Sequence, residues 1–385
     1  MKSDSTPSSP SLESAASQTA GRRLVIACGG TGGHLFPGIA VAAEWRARGG
    51  ETLLIISEKQ IDSLAAEGFE HLRFERQKAI AMPKIASPRM LGFLGNFGAA
   101  LWQCHRLLGR FDADAVLGMG GFTSTAPLIA GKVRGLPTFI HESNAIPGRA
   151  NRLNARFSRA VLVGFEACAA HFPGRRTVVA GTPLRPKIAA RPERAEGLAF
   201  FGLDPARRTL LVMGGSQGAR RVNELVVEAL PVLARDASLQ VLHITGPADY
   251  DWVAPAFDAS GVAGKALPFC PEMHFAYAAA NLAICRSGAS SLTELSRFGL
   301  PSVLIPYPFA ADDHQTRNAE IFSIPGAAEL WPQGELEGEA FTARLTTLLA
   351  DRERLDRMSE AMSALAVPDA SGRICDTVAA AIVGG

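Results

Sequence analysis

LVIACGGTGGHLFPG, from Leu24 to Gly38, is the stretch of sequence that decides the fold. Its first four residues are apolar and predict a short buried strand. Five glycines follow between residues 29 and 38, and a helical pattern of apolar residues begins at Leu35. A strand that passes through a glycine loop into a helix directs backbone N–H groups and a helix N-terminus toward an anion, usually a phosphate.

His34 lies where this loop becomes a helix, so we expect its imidazole to face the same anion. The simpler interpretation is that the glycines form only a tight turn, which His34 caps. A second copy favours ligand binding, because LLVMGGSQGAR, from Leu210 to Arg220, again predicts a strand, a glycine loop and a helix. Neither copy contains the G-x-x-x-x-G-K-[ST] or the G-x-G-x-x-G pattern, so a Walker-type loop is excluded and a dinucleotide-binding loop is disfavoured.

Length and composition indicate a globular protein with a large core. A chain of 385 residues, of which 47% are apolar and 20% charged, favours two domains. The six cysteines form no C-x-x-C pair, which fits a reducing cytoplasm. The first twenty residues are rich in serine and contain no apolar run typical of a signal peptide. No segment has the length of a transmembrane helix, so we expect any membrane association to be peripheral.

Strand-like and helix-like segments alternate along most of the chain. The strands predicted in the first half are Leu24–Ala27, Thr52–Ile56, His71–Phe74, Ala115–Leu117, Thr138–His141 and Ala160–Val163. Those predicted in the second half begin at Leu210 and continue with Gln240–Thr245, Gly264–Leu267, Leu282–Cys285, Ser302–Ile305 and Ala328–Leu330. Continuous apolar strands separated by helices predict parallel sheets with helices on both faces.

We therefore predict an α/β protein with two doubly wound, Rossmann-like domains and a cleft between them. The predicted segments are a disordered tail (1–20), a first domain (21–184), a linker (185–197), a second domain (198–350) and two C-terminal helices (351–385). We expect these last helices, broken at Pro368, to pack back across both domains. Ligands of such sheets bind at the carboxyl ends of the strands.

Glycine-rich or polar segments follow four of the predicted strands. They are Gly29–His34, Gly118–Ser124, Ile140–Asn144 and Cys285–Glu294, and Asp312–Gln315 lies beyond the end of another strand. Ser290 and Ser291 can cap the following helix and offer hydroxyl and N–H groups to a phosphate. Glu294 is placed to accept hydrogen bonds from a diol such as a ribose. Alternatively, it is a capping-box glutamate or lies on a solvated helix face.

Two charged segments allow more than one interpretation. No acidic residue occurs from Arg76 through Phe111, and Met82–Arg110 interleaves basic with apolar side chains. This pattern fits either a buried helix with a basic outer face or an apolar patch ringed by positive charge that binds an anionic lipid surface. Asp112-Ala-Asp114 matches the D-x-D pattern of Mg²⁺ sites. It precedes a strand, at the opposite end of the sheet from the glycine loops, so we predict no metal site there.

Six motifs together resemble the MurG family of bacterial N-acetylglucosaminyltransferases, which belongs to glycosyltransferase family 28. They are GGTGGHLFPG (29–38), VLGMGGFTS (116–124), HESNAIPG (141–148), GTPLR (181–185), GGSQGAR (214–220) and CRSGASSLTE (285–294), in the family's order and spacing. The resemblance covers the chain from about Leu24 to the C-terminus. It implies the GT-B fold, with the acceptor mostly on the first domain and the UDP-sugar mostly on the second.

The resemblance implies a reaction and its partners. N-acetylglucosamine would pass, with inversion, from UDP-N-acetylglucosamine (UDP-GlcNAc) to the muramoyl 4-hydroxyl of lipid I, the muramoyl-pentapeptide carried on undecaprenyl diphosphate. The product would be lipid II, used in peptidoglycan synthesis. The implied enzyme needs no metal and no cofactor, binds no nucleic acid and works at the cytoplasmic face of the plasma membrane.

The resemblance also implies a set of site residues. The positions that match donor contacts are Thr31, Gly32, Gly33, Asn144, Arg185, Ser216, Ala289, Ser290, Ser291, Leu292, Thr293, Glu294 and Gln315. Cys270 falls where the family contacts uracil through its backbone, and Ser143 stands where many relatives have glutamine. His34 is the leading candidate for the catalytic base, because an imidazole pKa of about 6.5 suits proton transfer at neutral pH. Its alternative role is to orient the acceptor's diphosphate.

Three other functions remain open at the level of the sequence. Related GT-B enzymes, such as diacylglycerol glucosyltransferases, share the first glycine loop. An NAD-dependent oxidoreductase would use Glu58, after the second strand, to bind a ribose. A non-catalytic subunit that binds nucleotide sugars would keep the donor motifs but lose the first loop and His34, both of which this chain contains.

Overall fold

The computed structural model describes residues 18–29, 32–57, 69, 71–77, 89–215 and 218–384. The chain divides into two compact units. Residues 1–142, 147–183 and 369–385 form the first unit, and residues 143–146 and 184–368 form the second. Among the described residues, the first unit contains a seven-stranded parallel sheet and the second a six-stranded one.

The first unit is doubly wound around β1, the strand that precedes the first glycine loop. Its strands are β1 (Arg23–Ala27), β2 (Glu51–Ser57), β3 (Phe74–Gln77), β4 (Ala115–Gly118), β5 (Thr138–Glu142), β6 (Ala160–Val163) and β7 (Thr177–Val179), in the sheet order β3-β2-β1-β4-β5-β6-β7. Its first helices are α1 (Gly32–Ala47), α2 (Arg89–Phe111), α3 (Thr125–Val133) and α4 (Arg149–Asn154).

Alternate residues of β1 enter two different core clusters. Leu24 and Ile26 pack with α1, whereas Val25 and Ala27 pack with α2 and α3. Successive side chains of a strand point to opposite faces of the sheet, so a strand covered on both faces is apolar throughout. This burial explains why the apolar run at residues 24–27 predicted the strand correctly.

The second unit repeats this architecture. Its strands are β8 (Arg208–Met213), β9 (Leu239–Ile244), β10 (Gly264–Leu267), β11 (Leu282–Cys285), β12 (Ser302–Leu304) and β13 (Ala328–Leu330), in the order β10-β9-β8-β11-β12-β13. Its helices are α5 (Pro186–Ala189), α6 (Arg194–Phe201), α7 (Arg220–Leu233), α8 (Tyr250–Ser260), α9 (Met273–Ala279), α10 (Ala289–Phe298), α11 (His314–Ser323), α12 (Gly338–Ala350) and α13 (Arg352–Ala364). The stretch expected to be a linker therefore includes α5 and the start of α6.

The C-terminal residues form two helices, as the sequence predicts. The first is α13, which packs against α10 and α12 of the second unit. The second, α14 (Ala370–Val383), belongs to the first unit and packs against α1. Its buried side chains, among them Ile374 and Val378, complete the core cluster on the α1 face of the sheet.

The strand prediction was wrong in one place and incomplete in another. His71–Phe74 was predicted as the third strand, but β3 runs from Phe74 to Gln77, and β7 was missed. Both are edge strands of the first sheet. Glu75 and Arg76 of β3 are exposed, so this strand lacks the apolar run that marks the buried strands.

Candidate functional site

The glycine segments that follow β1 and β4 meet at one edge of the first sheet, because these two strands are neighbours. Ser124 donates a hydrogen bond from its hydroxyl to the Ala27 carbonyl at 3.0 Å. Thr123 donates from its hydroxyl to the Gly29 carbonyl at 3.2 Å. The two loops predicted to share a ligand site are therefore fixed against each other.

His34 is half-buried in the first turn of α1, beside the loop that follows β4. Gly120 of that loop has a φ of +119°, and a Cβ atom there would lie 2.8 Å from both Cδ2 and Nε2 of the imidazole. A residue with a side chain would therefore collide with the ring and would adopt a backbone conformation that glycine tolerates best. The glycine at this position leaves the imidazole its space.

His141, the other histidine near this site, is fully buried. Its Nε2 atom lies 2.8 Å from the Gly181 carbonyl, which can only accept, so Nε2 carries the proton and donates. Burial lowers the pKa of His141, and the neighbouring His34 lowers it further. Because His141 is covered and already hydrogen-bonded, His34 is the histidine of this pair that a substrate can reach.

The residues after β5 form a buried turn. Glu142 is 4% exposed, and its Oε2 accepts hydrogen bonds from Asn151 Nδ2 at 2.9 Å and from the Gly148 backbone N–H at 3.1 Å. The Asn151 amide also donates to the His141 carbonyl at 3.0 Å. The acidic residue of the HESNAIPG motif therefore shapes the turn, rather than facing solvent.

In the second unit, the helix after β11 begins as the phosphate-binding hypothesis requires, although one detail differs. Gly288 is the N-cap residue of α10, so the prediction that Ser290 and Ser291 cap the helix was wrong. Both serines lie half-buried in the first turn. Their position still leaves hydroxyl and backbone N–H groups at a helix N-terminus.

Glu294 is one turn further along α10 and is 8% exposed, so the solvated-face alternative was wrong. It is also too far from Gly288 for a capping box, which requires the third helical residue. Arg185 donates from Nη2 to Glu294 Oε1 at 3.0 Å. The Tyr277 hydroxyl donates to Glu294 Oε2 at 2.7 Å. The carboxylate proposed to bind a diol is therefore held on both oxygens by the chain itself.

Other side chains of α10 are buried or form hydrogen bonds within the helix. Leu292 is fully buried and Ala289 is 6% exposed. The Thr293 hydroxyl donates to the Ala289 carbonyl at 2.9 Å. Of the predicted donor contacts in α10, the side chains of Ser290, Ser291 and Glu294 thus remain the ones suited to bind a ligand.

Gln315 and Asn144, both predicted donor contacts, are tied to a buried asparagine that the sequence analysis missed. The fully buried Asn318 donates from Nδ2 to Asn144 Oδ1 and to the Ser287 carbonyl, each at 3.1 Å. The Ser287 hydroxyl donates to the Gln315 carbonyl at 2.7 Å, and Gln315 Oε1 accepts from the Tyr307 backbone N–H at 2.9 Å. Asn318 follows Gln315 by three residues, which places both on one face of α11.

For the remaining predicted site residues, the structure gives fewer contacts. Thr31 and Ser216 lie outside the described residues, as does Glu58. Gly32 begins α1 and Gly33 is exposed in its first turn.

Cys270 is 6% exposed, and burial raises the pKa of its thiol. The thiol is therefore neutral and covered, and the contact of this position with uracil stays a prediction.

Asp112 and Asp114 form ion pairs with the start of β1. Asp114 Oδ1 lies 3.3 Å from Arg22 Nη1, and Asp112 Oδ2 lies 2.7 Å from Arg23 Nη1. They lie at the amino ends of β1 and β4, away from the glycine loops, as predicted. In the part of the chain that the structure describes, no group of three or more His, Cys, Asp or Glu side chains is placed to hold a metal ion.

Two doubly wound units, with a glycine segment after the first strand of each, have the architecture of the GT-B fold. Structural comparison agrees. A MurG crystal structure from Acinetobacter baumannii matches with a TM-score of 0.76 and 26% identity, over 93% of this chain and 99% of that one. UGT2 of Phytolacca americana, at 13% identity, shares the fold with a TM-score of 0.70, over 94% of this chain and 100% of that one.

Sequence comparison identifies the family. Residues 24–163 match the glycosyltransferase family 28 N-terminal domain and residues 209–374 its C-terminal domain. UDP-N-acetylglucosamine--N-acetylmuramyl-(pentapeptide) pyrophosphoryl-undecaprenol N-acetylglucosamine transferases from Nitratidesulfovibrio vulgaris (strain Hildenborough) and Pelobacter propionicus are each 38% identical. The alignments cover 92% of this chain and 96% and 98% of those proteins. The chain belongs to glycosyltransferase family 28 and, within it, to the MurG group.

Proposed function

We propose that this protein transfers N-acetylglucosamine from UDP-GlcNAc to the muramoyl 4-hydroxyl of lipid I and so forms lipid II for peptidoglycan synthesis. The observation that carries the proposal is the 38% identity to enzymes of that name over 92% of the chain. The segment with His34 and the helix with Glu294 both lie within the matched family domains, which supports the proposal.

The second unit binds the donor in this proposal. The first turn of α10 brings backbone N–H groups, a partial positive charge of about half a unit and two serine hydroxyls to the diphosphate. Glu294 accepts hydrogen bonds from the ribose hydroxyls. As UDP departs, the helix N-terminus stabilises the negative charge that develops on its diphosphate.

The first unit supplies the catalytic base. Inverting transfer requires that a base remove the proton of the attacking hydroxyl as the sugar passes through an oxocarbenium-like transition state. His34 is partly exposed at the carboxyl edge of the sheet, and its ring lies close to Gly120, where a side chain would collide with it. A neutral imidazole accepts the proton directly.

The protein docks on the cytoplasmic face of the membrane, where the polyprenyl chain of lipid I is anchored. No helix in the described ranges is long and apolar enough to span a bilayer. Helix α2 exposes Leu94 (56%) and Trp102 (59%), and the Arg106 guanidinium lies 4.7 Å from the Trp102 ring centre. An apolar surface beside basic side chains suits a peripheral contact with anionic lipid.

One assay tests the proposed reaction. Purified protein is incubated with radiolabelled UDP-GlcNAc and a lipid I analogue, and label is measured in the lipid fraction. We expect labelled lipid II from lipid I and no labelled product when diacylglycerol replaces it. Label in diacylglycerol alone would assign the chain to the glycolipid glycosyltransferases. Bound UDP-GlcNAc without transfer to either acceptor would indicate a non-catalytic binding subunit.

A further inference from the structure

We infer that Tyr277, through its hydroxyl, is a positioning residue that fixes the Glu294 carboxylate for the donor's ribose. The inference rests on the proposed function, which gives Glu294 that ligand. Its basis is the 2.7 Å hydrogen bond between the Tyr277 hydroxyl and Glu294 Oε2, inside the second unit. Tyr277 belongs to none of the six motifs of the sequence analysis.

The Tyr277 ring is buried and packs against α10. Tyr277 is 3% exposed on α9, and its ring lies 5.4 Å from the ring of Phe298 at the end of α10. Glu294 is one turn before Phe298 on the same helix, so ring contact and hydrogen bond together join α9 to α10. Burial and the adjacent carboxylate raise the pKa of Tyr277 well above its usual value, so the phenol keeps the proton that it donates.

The geometry leaves half of the carboxylate for a ligand. Two carboxylate oxygens offer about four acceptor positions. Tyr277 occupies one on Oε2, and Arg185 occupies one on Oε1 at 3.0 Å. One position on each oxygen remains, which is the requirement for a bidentate contact with a vicinal diol.

Removal of the phenol would free one side of this carboxylate. The last torsion of a glutamate side chain has a broad energy minimum, so hydrogen bonds rather than intrinsic preference fix the plane of the carboxylate. Without Tyr277, Oε2 loses its internal partner, and the group has to be ordered again when the ribose binds. The expected effect is therefore confined to ligands that carry the ribose hydroxyls.

Calorimetric titration with UDP and with 2′,3′-dideoxy-UDP tests the inference. Tyr277→Phe, which removes one oxygen and keeps the ring, should weaken UDP binding roughly 5- to 10-fold, the effect typical of one lost hydrogen bond. Its affinity for dideoxy-UDP should equal that of the unmodified protein. The KM for UDP-GlcNAc should rise by the same factor, with kcat within about twofold. Tyr250→Phe, on α8, is the matched control and should change neither affinity.

A double variant shows whether Tyr277 acts through Glu294. Tyr277→Phe should have no further effect in a Glu294→Gln background, because the group that it positions has been replaced. Unchanged UDP affinity in Tyr277→Phe, or equal weakening of UDP and dideoxy-UDP, would overturn the positioning role and leave the donor site intact. If the unmodified protein binds both nucleotides equally and Glu294→Gln changes neither affinity, Glu294 does not bind ribose, and both assignments fall.

Discussion

At the scale of the residue, the candidate chemistry of the first unit centres on His34. We expect His34→Ala to lower kcat by about 10²- to 10⁴-fold, the usual contribution of a general base, while the thermal unfolding temperature stays unchanged. The measurement is steady-state transfer to a soluble lipid I analogue. If kcat stays within a few-fold and only the acceptor KM rises, His34 binds the acceptor's diphosphate instead.

The space around His34 supports a second prediction at this scale. Gly120→Ala should also lower kcat, because the new Cβ would lie 2.8 Å from the imidazole. Gly121→Ala is the matched control: it also has a positive φ, +72°, but its Cβ would lie 3.7 Å from the ring. Both variants carry backbone strain of about 1–3 kcal/mol, and unfolding experiments measure that loss of stability separately from the effect on kcat. Equal activity of the two variants would contradict the proposed packing of the ring.

At the scale of the element, the second glycine loop leads into a buried polar network between β9 and α7. Asn223 donates from Nδ2 to the Thr245 carbonyl at 2.8 Å and to Asp249 Oδ2 at 2.9 Å, and its Oδ1 lies 2.9 Å from His243 Nε2. Since the Asn223 oxygen can only accept, His243 Nε2 must carry the proton. A second proton on Nδ1 would be buried without an acceptor, so the network favours a neutral His243 with that tautomer.

This network predicts how stability depends on pH. Burial lowers the pKa of His243 to about 4, and only the negative charge of Asp249 opposes this shift. Asp249 Oδ1 in turn lies 3.5 Å from Arg220 Nη1. In the unfolded chain the pKa is about 6.5, so the unfolded state binds the proton first as the pH falls. As the pH falls from about 6.5 to about 4, protonation of His243 in the unfolded chain should thus lower the free energy of unfolding progressively, by about 3 kcal/mol in total.

Urea unfolding at pH 7.5 and at pH 5 measures this effect. His243→Gln keeps a donor near Asn223 and cannot be protonated. We expect this variant to be less stable than the unmodified protein at pH 7.5 and to lose less stability on acidification. The comparison between the two proteins removes the contributions of other buried histidines, such as His141. Parallel losses in both proteins would show that His243 does not control the acid sensitivity.

At the scale of the whole molecule, we expect activity on full-length lipid I to depend on the proposed docking at the membrane. Leu94→Ser with Trp102→Ser should reduce co-sedimentation with anionic vesicles and activity on full-length lipid I, while activity on a short-chain acceptor is retained. Binding should weaken as salt is added, because charge contributes about 1 kcal/mol per basic side chain near the surface. Phe93 and Phe97 are poorer probes, because their replacement would also disturb packing inside the unit. Their ring centroids lie 5.8 Å apart, and both rings pack with Phe122.

Ile324→Ser provides the control for this prediction. Ile324 is 83% exposed and lies in the second unit, so its replacement removes apolar surface without touching α2. We expect vesicle binding of this variant to match that of the unmodified protein. If the α2 double variant also binds normally, or if salt has no effect, then α2 is an ordinary surface helix and another surface contacts the lipid.

The sequence by itself determined the parts of this protein that have a local signal. Runs such as Leu24–Ala27 and Leu282–Cys285 are apolar throughout because both faces of a central parallel strand are buried. The glycine segments after β1 and β8 mark turns into helices, and the motifs that contain them led to the family. Edge strands such as β3 lack such a signal, because solvent permits polar residues there.

Only the tertiary structure decided how the site residues are held. Glu294 meets Arg185, 109 residues away, and Tyr277, 17 residues away. Asn318 meets Asn144 across 174 residues. Each of these contacts depends on how helices pack on the sheet, and no local pattern specifies which polar side chain will face another. The residues of the candidate donor site could therefore be predicted from the sequence, whereas the hydrogen bonds that orient Glu294 follow from packing.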